Sequence, residues 1–477
     1  MTARFFSDAT ISRSASPLSR VEVGALALLS ALLFYPAWLR GGTHAAWTWP
    51  LPWIAIGGWV LWLTLAARSR VEPRRPLIAW RDPVFWLGLL FLGLLLVQWW
   101  NAGRALYYDT VLRAWAYSSP RHPALPSAIT SAEARQMLDW FVPAWVILQV
   151  IRSPALSARS VRALWRVLVV NASIMAVFGL VQFLSGTTHM YWCVPMRPHF
   201  FASFGYPNHA GSYFLMVEGL AAGMLLYELS GNGDRLRVSR IVYLSAGLFL
   251  GVLGANFALS RASIILSWAF LLPILFLLAR SLWVRFQPAQ RVNLAAATVA
   301  VLLLGVLLTV GMGRDAIRTE FKPENDQKTF LTRETDFRWF QMKTAFHIWQ
   351  DYPWYGVGGW GYRYLMAHYL PPDQWNRVTE GKANVHNDPL QFLAEFGLVG
   401  ALSLGGTIGI LVRAAFGRRR GRIPSYLILP AIGVFLVAGQ SLIDLPFRSP
   451  AVLYLWIAIL AGIGRARPIR QELAQSS

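Results

Sequence analysis

This chain of 477 residues contains one cysteine, four lysines and few charges of any kind. Cys193 stands alone, so no disulfide can form within the chain even if part of it faces an oxidising space. Charged residues make up 14% of the sequence, against roughly 25% in a soluble globular protein. No repeat relates the two halves, which weighs against inverted-repeat transporter folds. The N-terminal segment is polar and leads into an apolar run long enough to be a true span, so a cleavable signal peptide is not expected.

What is abundant is hydrocarbon. Hydrophobic residues are 55% of the chain, and the mean hydropathy is +0.42. Between clustered charges lie apolar runs of about twenty residues, the length needed to cross a bilayer. The expectation is an all-α polytopic membrane protein of about 12 transmembrane helices. Its spans are placed at 21–39, 49–67, 83–100, 138–152, 161–184, 207–229, 241–259, 262–280, 293–311, 389–412, 425–443 and 449–465. The fourth is the shortest. The sixth carries Glu218 near its middle, which must face protein or water there.

The net charge is +21, with 44 Lys and Arg against 23 Asp and Glu. The arginines are spread over short loops rather than gathered in one domain, so the reading is membrane topology and not nucleic-acid binding. Cytoplasmic loops are enriched in Lys and Arg. With the N-terminus inside, the inner loops hold Arg68, Arg70, Arg74, Arg75, Arg81, Arg152, Arg159, Arg235, Arg237, Arg240, Arg280, Arg285, Arg291, Arg418, Arg419, Arg420 and Arg422. The outer short loops hold only Arg40, Arg197, Arg261 and Arg448. Both termini are expected inside.

The organisation that follows is a cytoplasmic tail over 1–20, about nine spans over 21–311, a large outer loop over 312–388, about three spans over 389–465, and a second cytoplasmic tail over 466–477. A further long outer segment covers 101–137. The 312–388 loop holds all four lysines (Lys322, Lys328, Lys343, Lys382) and nearly half of the acidic residues. A loop of that length folds or carries function. Within it, Phe337, Phe340, Ala345, Ile348 and Trp349 recur at helical spacing, predicting a helix over Thr332–Gln350 that Pro353 ends. Arg338 lies beside that apolar stripe.

Several short motifs carry chemistry. Gly356-Val357-Gly358-Gly359-Trp360-Gly361 matches a dinucleotide fingerprint in letters only, because a βαβ unit is not plausible in this loop. A tight turn that lets backbone approach another helix suits it better. Arg261 stands at the outer end of the seventh span, either as an interfacial arginine or as an anion clamp. Phe204-Gly205-Tyr206-Pro207-Asn208-His209-Ala210-Gly211 opens the sixth span, with Pro207 suited to the first helical turn and Asn208 and His209 suited to capping it or lining a cavity, the cap being the better reading of Asn208 alone. His386 and Asn387 stand at the water–lipid boundary just before the tenth span. Imidazole titrates nearest neutrality and exchanges protons readily. Two arginines and one titratable base on one membrane face suit a phosphorylated lipid.

Taken together, these segments resemble the O-antigen ligase and polymerase superfamily of bacterial membrane glycosyltransferases. The resemblance is carried by Phe204 to Gly211, by Leu259-Ser260-Arg261, and by Arg338 to Tyr355 running into Gly356-Val357-Gly358. It continues through His386-Asn387, Leu390, Glu395, Gly397 and Gly400, then Asp444-Leu445-Pro446. It covers roughly 170–460. One departure is that many relatives have Asn-x-Asn where this chain has Tyr206-Pro207-Asn208.

The resemblance implies a metal-independent, inverting enzyme with no cofactor, working on the periplasmic face of the bacterial inner membrane. Its donor would be an undecaprenyl-diphosphate-linked glycan, and its acceptor a hydroxyl of a glycan, glycolipid or protein. Arg261 and Arg338 match positions that hold the diphosphate. His386 matches the base or orienting group for the acceptor, and Asn387, Asn208, Glu395 and Asp444 are supporting residues. The rival is a lipid-glycan flippase or other secondary transporter, which Glu218 alone among these groups suits.

Overall fold

In the computed structural model the described residues are 17–68, 77–103, 106–111, 113–117, 119–196, 200–230, 238–285, 327–370, 383–417 and 423–467. Twelve long helices organise them: α1 (Arg20–Trp38), α2 (Leu51–Arg68), α3 (Pro83–Trp100), α4 (Ser131–Arg152), α5 (Ala158–Leu184), α6 (Pro207–Leu229), α7 (Val238–Phe257), α8 (Arg261–Arg285), α9 (Gln327–Asp351), α10 (Asp388–Phe416), α11 (Ser425–Gln440) and α12 (Pro450–Ala466). Among the described residues, strands are confined to two small antiparallel hairpins; the larger pairs Leu106–Asp109 with Ala114–Tyr117.

The chain is a polytopic all-α membrane protein. Among the described residues, 8 helices are long and apolar enough to cross a bilayer, and α11 and α12 are shorter apolar helices. Large apolar side chains on the outside of the bundle, such as Val60, Leu90, Ile174, Leu272, Phe276 and Leu402, are more than one-third exposed. Such a surface is unsustainable in water and ordinary against lipid. The expected ninth span, 293–311, lies outside the described residues, as do Arg70, Arg74, Arg75, Arg197, Arg235, Arg237, Arg291, Arg418, Arg419, Arg420 and Arg422.

Every other expected span falls on a helix, with two corrections of shape. The fourth, read as a short span over 138–152, is the 22-residue α4. Thr130 caps it by accepting from the Glu133 N–H, so the helix starts in a polar turn that hydropathy does not detect. The tenth is not one straight span. α10 breaks at Gly397 (φ 61, ψ −165).

α6 is the central element, buried over almost its whole length and packed on α7, α11 and α8. Gly219 and Gly223, one turn apart, bring it against the backbone of α11: a Cβ on them would stand 2.7 Å from Leu429 O and 2.5 Å from Tyr426 O. Glu218 does face protein; it is fully buried and accepts a 2.6 Å hydrogen bond from Ser267 Oγ of α8.

The loop helix expected over Thr332–Gln350 is α9, Gln327–Asp351. Ala345 and Ile348 are buried with Tyr362, Val385 and Ala394, so its apolar stripe packs on the first half of α10. The glycine-rich turn that follows fills the break in α10. Val357 N–H donates to Ala394 O (3.1 Å) and Gly358 N–H to Glu395 O (2.8 Å); Leu398 and Val399 N–H donate back to Pro353 O (2.8 Å) and Trp354 O (3.0 Å). The broken helix thus recovers its backbone partners from the loop, as a hydrocarbon environment requires. A Cβ on Gly397 would lie 2.4 Å from the Trp354 carbonyl carbon, in a backbone region essentially reserved for glycine. Gly397→Ala is expected to cost about 1–3 kcal/mol from conformation alone, read as a lower thermal midpoint of the detergent-solubilised protein. An unchanged midpoint would show that this docking contributes nothing.

Candidate active site

The site is assembled where α10 and α6 begin. Asn387 caps α10, its Oδ1 accepting from Leu390 N–H at 2.9 Å while Nδ2 donates to Leu442 O at 2.9 Å. Asp388 N–H donates to Ser441 O (2.9 Å), and Phe447 N–H donates to Asp388 Oδ2 (2.9 Å). The 441–447 turn is thereby wrapped around the head of α10. His386, immediately before the cap, is held at φ 55. Histidine is among the residues that tolerate this left-handed region, and such conformations cluster at functional sites.

Asp444 is the hub. Its side chain is buried, and its Oδ1 lies 3.7 Å from His386 Nδ1. Asn208 Nδ2 donates to Asp444 Oδ2 and, at 3.0 Å, to the Tyr206 hydroxyl. Tyr206 in turn donates to Asp444 Oδ1 at 3.2 Å. Burial first, then the Asp444 charge, holds the Tyr206 phenol above its usual range, so it stays a donor. His209 Nε2 is 3.0 Å from Leu445 O, and Ser212 Oγ donates to Gln440 Oε1 at 3.0 Å, fastening α6 to the same turn.

Arg338 reaches this turn from α9, its Nη1 donating to Ile443 O at 3.1 Å, and its charge acts on Tyr206. The structure therefore brings His386, Asn387, Asn208, Asp444 and Arg338 together. Arg261 heads α8 and is exposed. It stands at the same end of the bundle, because Ser263 abuts Gly211 in the first turns of α6.

One placement differs from the sequence reading. Asn208 does not cap α6: the helix begins at Pro207, its cap position is Tyr206, and Asn208 spends its amide on Asp444. Tyr206 occupies the first place of the Asn-x-Asn pattern and supplies a hydroxyl to the same carboxylate, so the departure keeps a polar group there. Glu395 is not beside His386. It lies two turns into α10, fully buried, accepting from Arg448 Nη2 (2.8 Å) and Gln391 Nε2 (2.9 Å).

Arg448 is the residue that sequence reasoning missed. Read only as an isolated outer arginine, it is buried, pairs with Glu395, lies 3.6 Å from Asp388, and sits over the Trp360 ring at 4.6 Å. Arg363 is 3.9 Å from the same ring and 3.3 Å from Glu133 of α4. Burial lowers the Arg363 pKa from its ordinary value, and the carboxylates of Glu133 and Glu395 oppose that shift. The only signal in sequence was the spacing Asp444-Leu445-Pro446-Phe447-Arg448, one turn from the hub.

No curated protein matches the chain. Residues 246–405 match the family model described as O-antigen ligase, a stretch that takes in Arg261, Arg338, His386, Asn387 and Glu395 and stops short of Asn208 and Asp444. With the helical membrane fold and a polar site at the helix ends, that match supports a likeness to the O-antigen ligase and polymerase superfamily.

Proposed function

We propose that this chain transfers a glycan from an undecaprenyl-diphosphate-linked donor to an acceptor hydroxyl, on the periplasmic face of a bacterial inner membrane. The observation that carries the reading is the Asp444 carboxylate set 3.7 Å behind His386 Nδ1, with Arg338 tied to the residue before Asp444. A carboxylate behind one ring nitrogen favours the tautomer with its proton on that side, leaving the Nε2 lone pair for a hydroxyl. A gap of this size is usual before substrate tightens a catalytic pair.

His386 takes the proton of the acceptor hydroxyl as its oxygen bonds to the anomeric carbon. The bond from that carbon to the diphosphate oxygen breaks with inversion, and the lipid diphosphate leaves with the electron pair. Arg338 and Arg261 stabilise the charge that develops on it, which makes a metal unnecessary. Asn208, Asn387 and Tyr206 hold Asp444 and the turn in place.

In this reading α9, whose Arg338 reaches Ile443, lies on the outer side of the site, and the positive-inside pattern of the sequence supports cytoplasmic termini. The transport reading would look to the break in α10 for an ion site. The carbonyls of Ala394 and Glu395 there already accept from Val357 and Gly358, and α6 is helical from Pro207 through Leu229, past Glu218.

The test is conversion of lipid-linked donor to product by the purified protein in detergent, with no membrane to cross. Arg338→Ala is expected to lower kcat by about 10²–10³-fold, the usual effect of removing one such donor. Transfer at the native rate by that variant would end the diphosphate assignment. The surface glycan of a deletion strain separates acceptors: single repeats on the core indicate a polymerase, and lipid-linked polymer that never reaches the core indicates a ligase.

A further inference from the structure

The far end of α6 carries a charged cluster that the transfer site does not use. α6 begins at the His386 site with Pro207 and ends at Leu229, so Glu228 in its last turn stands at the opposite end of the bundle. Two guanidiniums share one oxygen of its carboxylate. Arg166 of α5 donates from Nη1 to Glu228 Oε1 at 3.2 Å, and Arg240 of α7 donates from Nη1 to the same oxygen at 3.1 Å. Arg162, one turn before Arg166, lies over the Tyr227 ring at 4.7 Å. Among the described residues, three cations thus gather at the last turn of α6 around one carboxylate, and the Arg240 charge acts on Arg166. The segment 231–237 between α6 and α7 carries Asp234 with Arg235 and Arg237, so its own balance is also positive.

That excess of positive charge is poorly screened. The Glu228 side chain is 7% exposed and that of Arg166 18%, and buried charges gain little from salt or water. A guanidinium has five N–H donors, and Arg166 and Arg240 each place one on Glu228. The surplus charge and the remaining donors suit an anion with several oxygens, which a phosphate supplies in bidentate geometry.

The surroundings identify the source of that phosphate. Val170, Ile174, Val177 and Val181 follow Arg166 at i+4, i+8, i+11 and i+15, one face of α5, and all four are exposed. The stripe from Arg166 to Val181 runs roughly 22 Å at 1.5 Å per residue, enough to span one leaflet, about half of a 30 Å hydrocarbon core. Beside it α7 packs closely on α5: a Cβ on Gly247 would stand 2.4 Å from Val169 Cγ1. A phosphate on the arginines therefore has a hydrocarbon track leading away from it, which fits a phospholipid and not a free phosphate.

We infer that Arg162, Arg166 and Arg240 bind the phosphate of an anionic phospholipid whose acyl chain lies along the α5 stripe. Basic pockets between transmembrane helices hold anionic head groups in this way, and the positive-inside pattern supports the cytoplasmic leaflet as the source. The site is separate from the His386 turn, so the inference does not depend on the transfer reading.

The experiment titrates the delipidated full-length protein with phosphatidylglycerol and phosphatidylethanolamine of matched acyl chains and counts bound copies by native mass spectrometry. Phosphatidylglycerol should bind about fivefold more tightly, because the ammonium of phosphatidylethanolamine cancels its phosphate charge. Arg240→Gln should weaken phosphatidylglycerol about fivefold, the equivalent of about 1 kcal/mol for one basic residue near the head group. Glu228→Gln keeps the side-chain shape and removes the competing carboxylate, so it should tighten binding, which a merely structural role would not do. Arg280→Gln, at an exposed arginine near the same end of α8, should change nothing.

Equal binding of the two lipids, equal losses in Arg240→Gln and Arg280→Gln, or weaker binding by Glu228→Gln would each overturn the inference. Millimolar inorganic phosphate should not displace the lipid; full displacement would make this a site for a soluble anion and end the lipid assignment. The titration of the native protein decides even if a variant fails to fold.

Discussion

His386→Ala is expected to lower kcat for glycan transfer by about 10²–10⁴-fold, the range for loss of a positioned general base. The fold should survive, since Asn387 and not His386 caps α10. Asp444→Asn separates charge from shape. It keeps a side chain of the same size within reach of Asn208 and Tyr206 and removes the negative charge that orients the imidazole. Its loss should be large but smaller than that of His386→Ala, and it should fall on kcat more than on KM. Residues that act as a unit are non-additive, so the double variant should be no slower than His386→Ala alone. If the two losses multiply instead, Asp444 does not act through His386, and the pairing read from their 3.7 Å separation is wrong.

Arg448→Met is expected to be the most destabilising single change outside the glycine turn. It leaves the fully buried Glu395 and the buried Asp388 without the cation that lies 2.8 and 3.6 Å from them. Breaking a buried pair from one side costs about 3–5 kcal/mol, because the remaining charge is uncompensated. Both carboxylates sit in the first half of α10, the segment that carries the His386 site, so transfer should fall along with the thermal midpoint. Replacing both sides of the pair by groups of similar volume is often neutral, so Arg448→Met with Glu395→Gln should recover much of the loss. A single variant as stable as the native protein would falsify the claim that this pair secures the half-helix.

Much of this protein was legible in sequence because a bilayer leaves few solutions. Runs of about twenty apolar residues must be helices there, which is why α1, α3, α6 and α10 start within two residues of where hydropathy places them. The amphipathic stripe of α9 was equally legible, since Ala345 and Ile348 recur at helical spacing and both are buried. Where polar groups begin a helix, as at Thr130, hydropathy carried no signal and the start was misplaced. The candidate residues were legible as types: an imidazole, an amide, two guanidiniums and a carboxylate near helix ends.

Their partners were not legible. Asp444 is 236 residues from Asn208, and Arg448 is 53 from Glu395; no local periodicity relates such positions. Asn208 read alone is a helix cap, because capping is the commonest use of asparagine at that position. Only packing of α6 against the 441–447 turn turns its amide towards a carboxylate. Gly397 carried no mark of a broken helix until the 353–358 turn was seen filling the break.

By itself, then, the sequence determined a helical membrane protein and the residue types at its helix ends, since the transfer of backbone and charge into hydrocarbon is a local free energy read off each segment. The tertiary structure decided that His386 faces Asp444 and that Glu395 belongs to Arg448. Those depend on which helices meet, and that is set by the packing of the whole bundle.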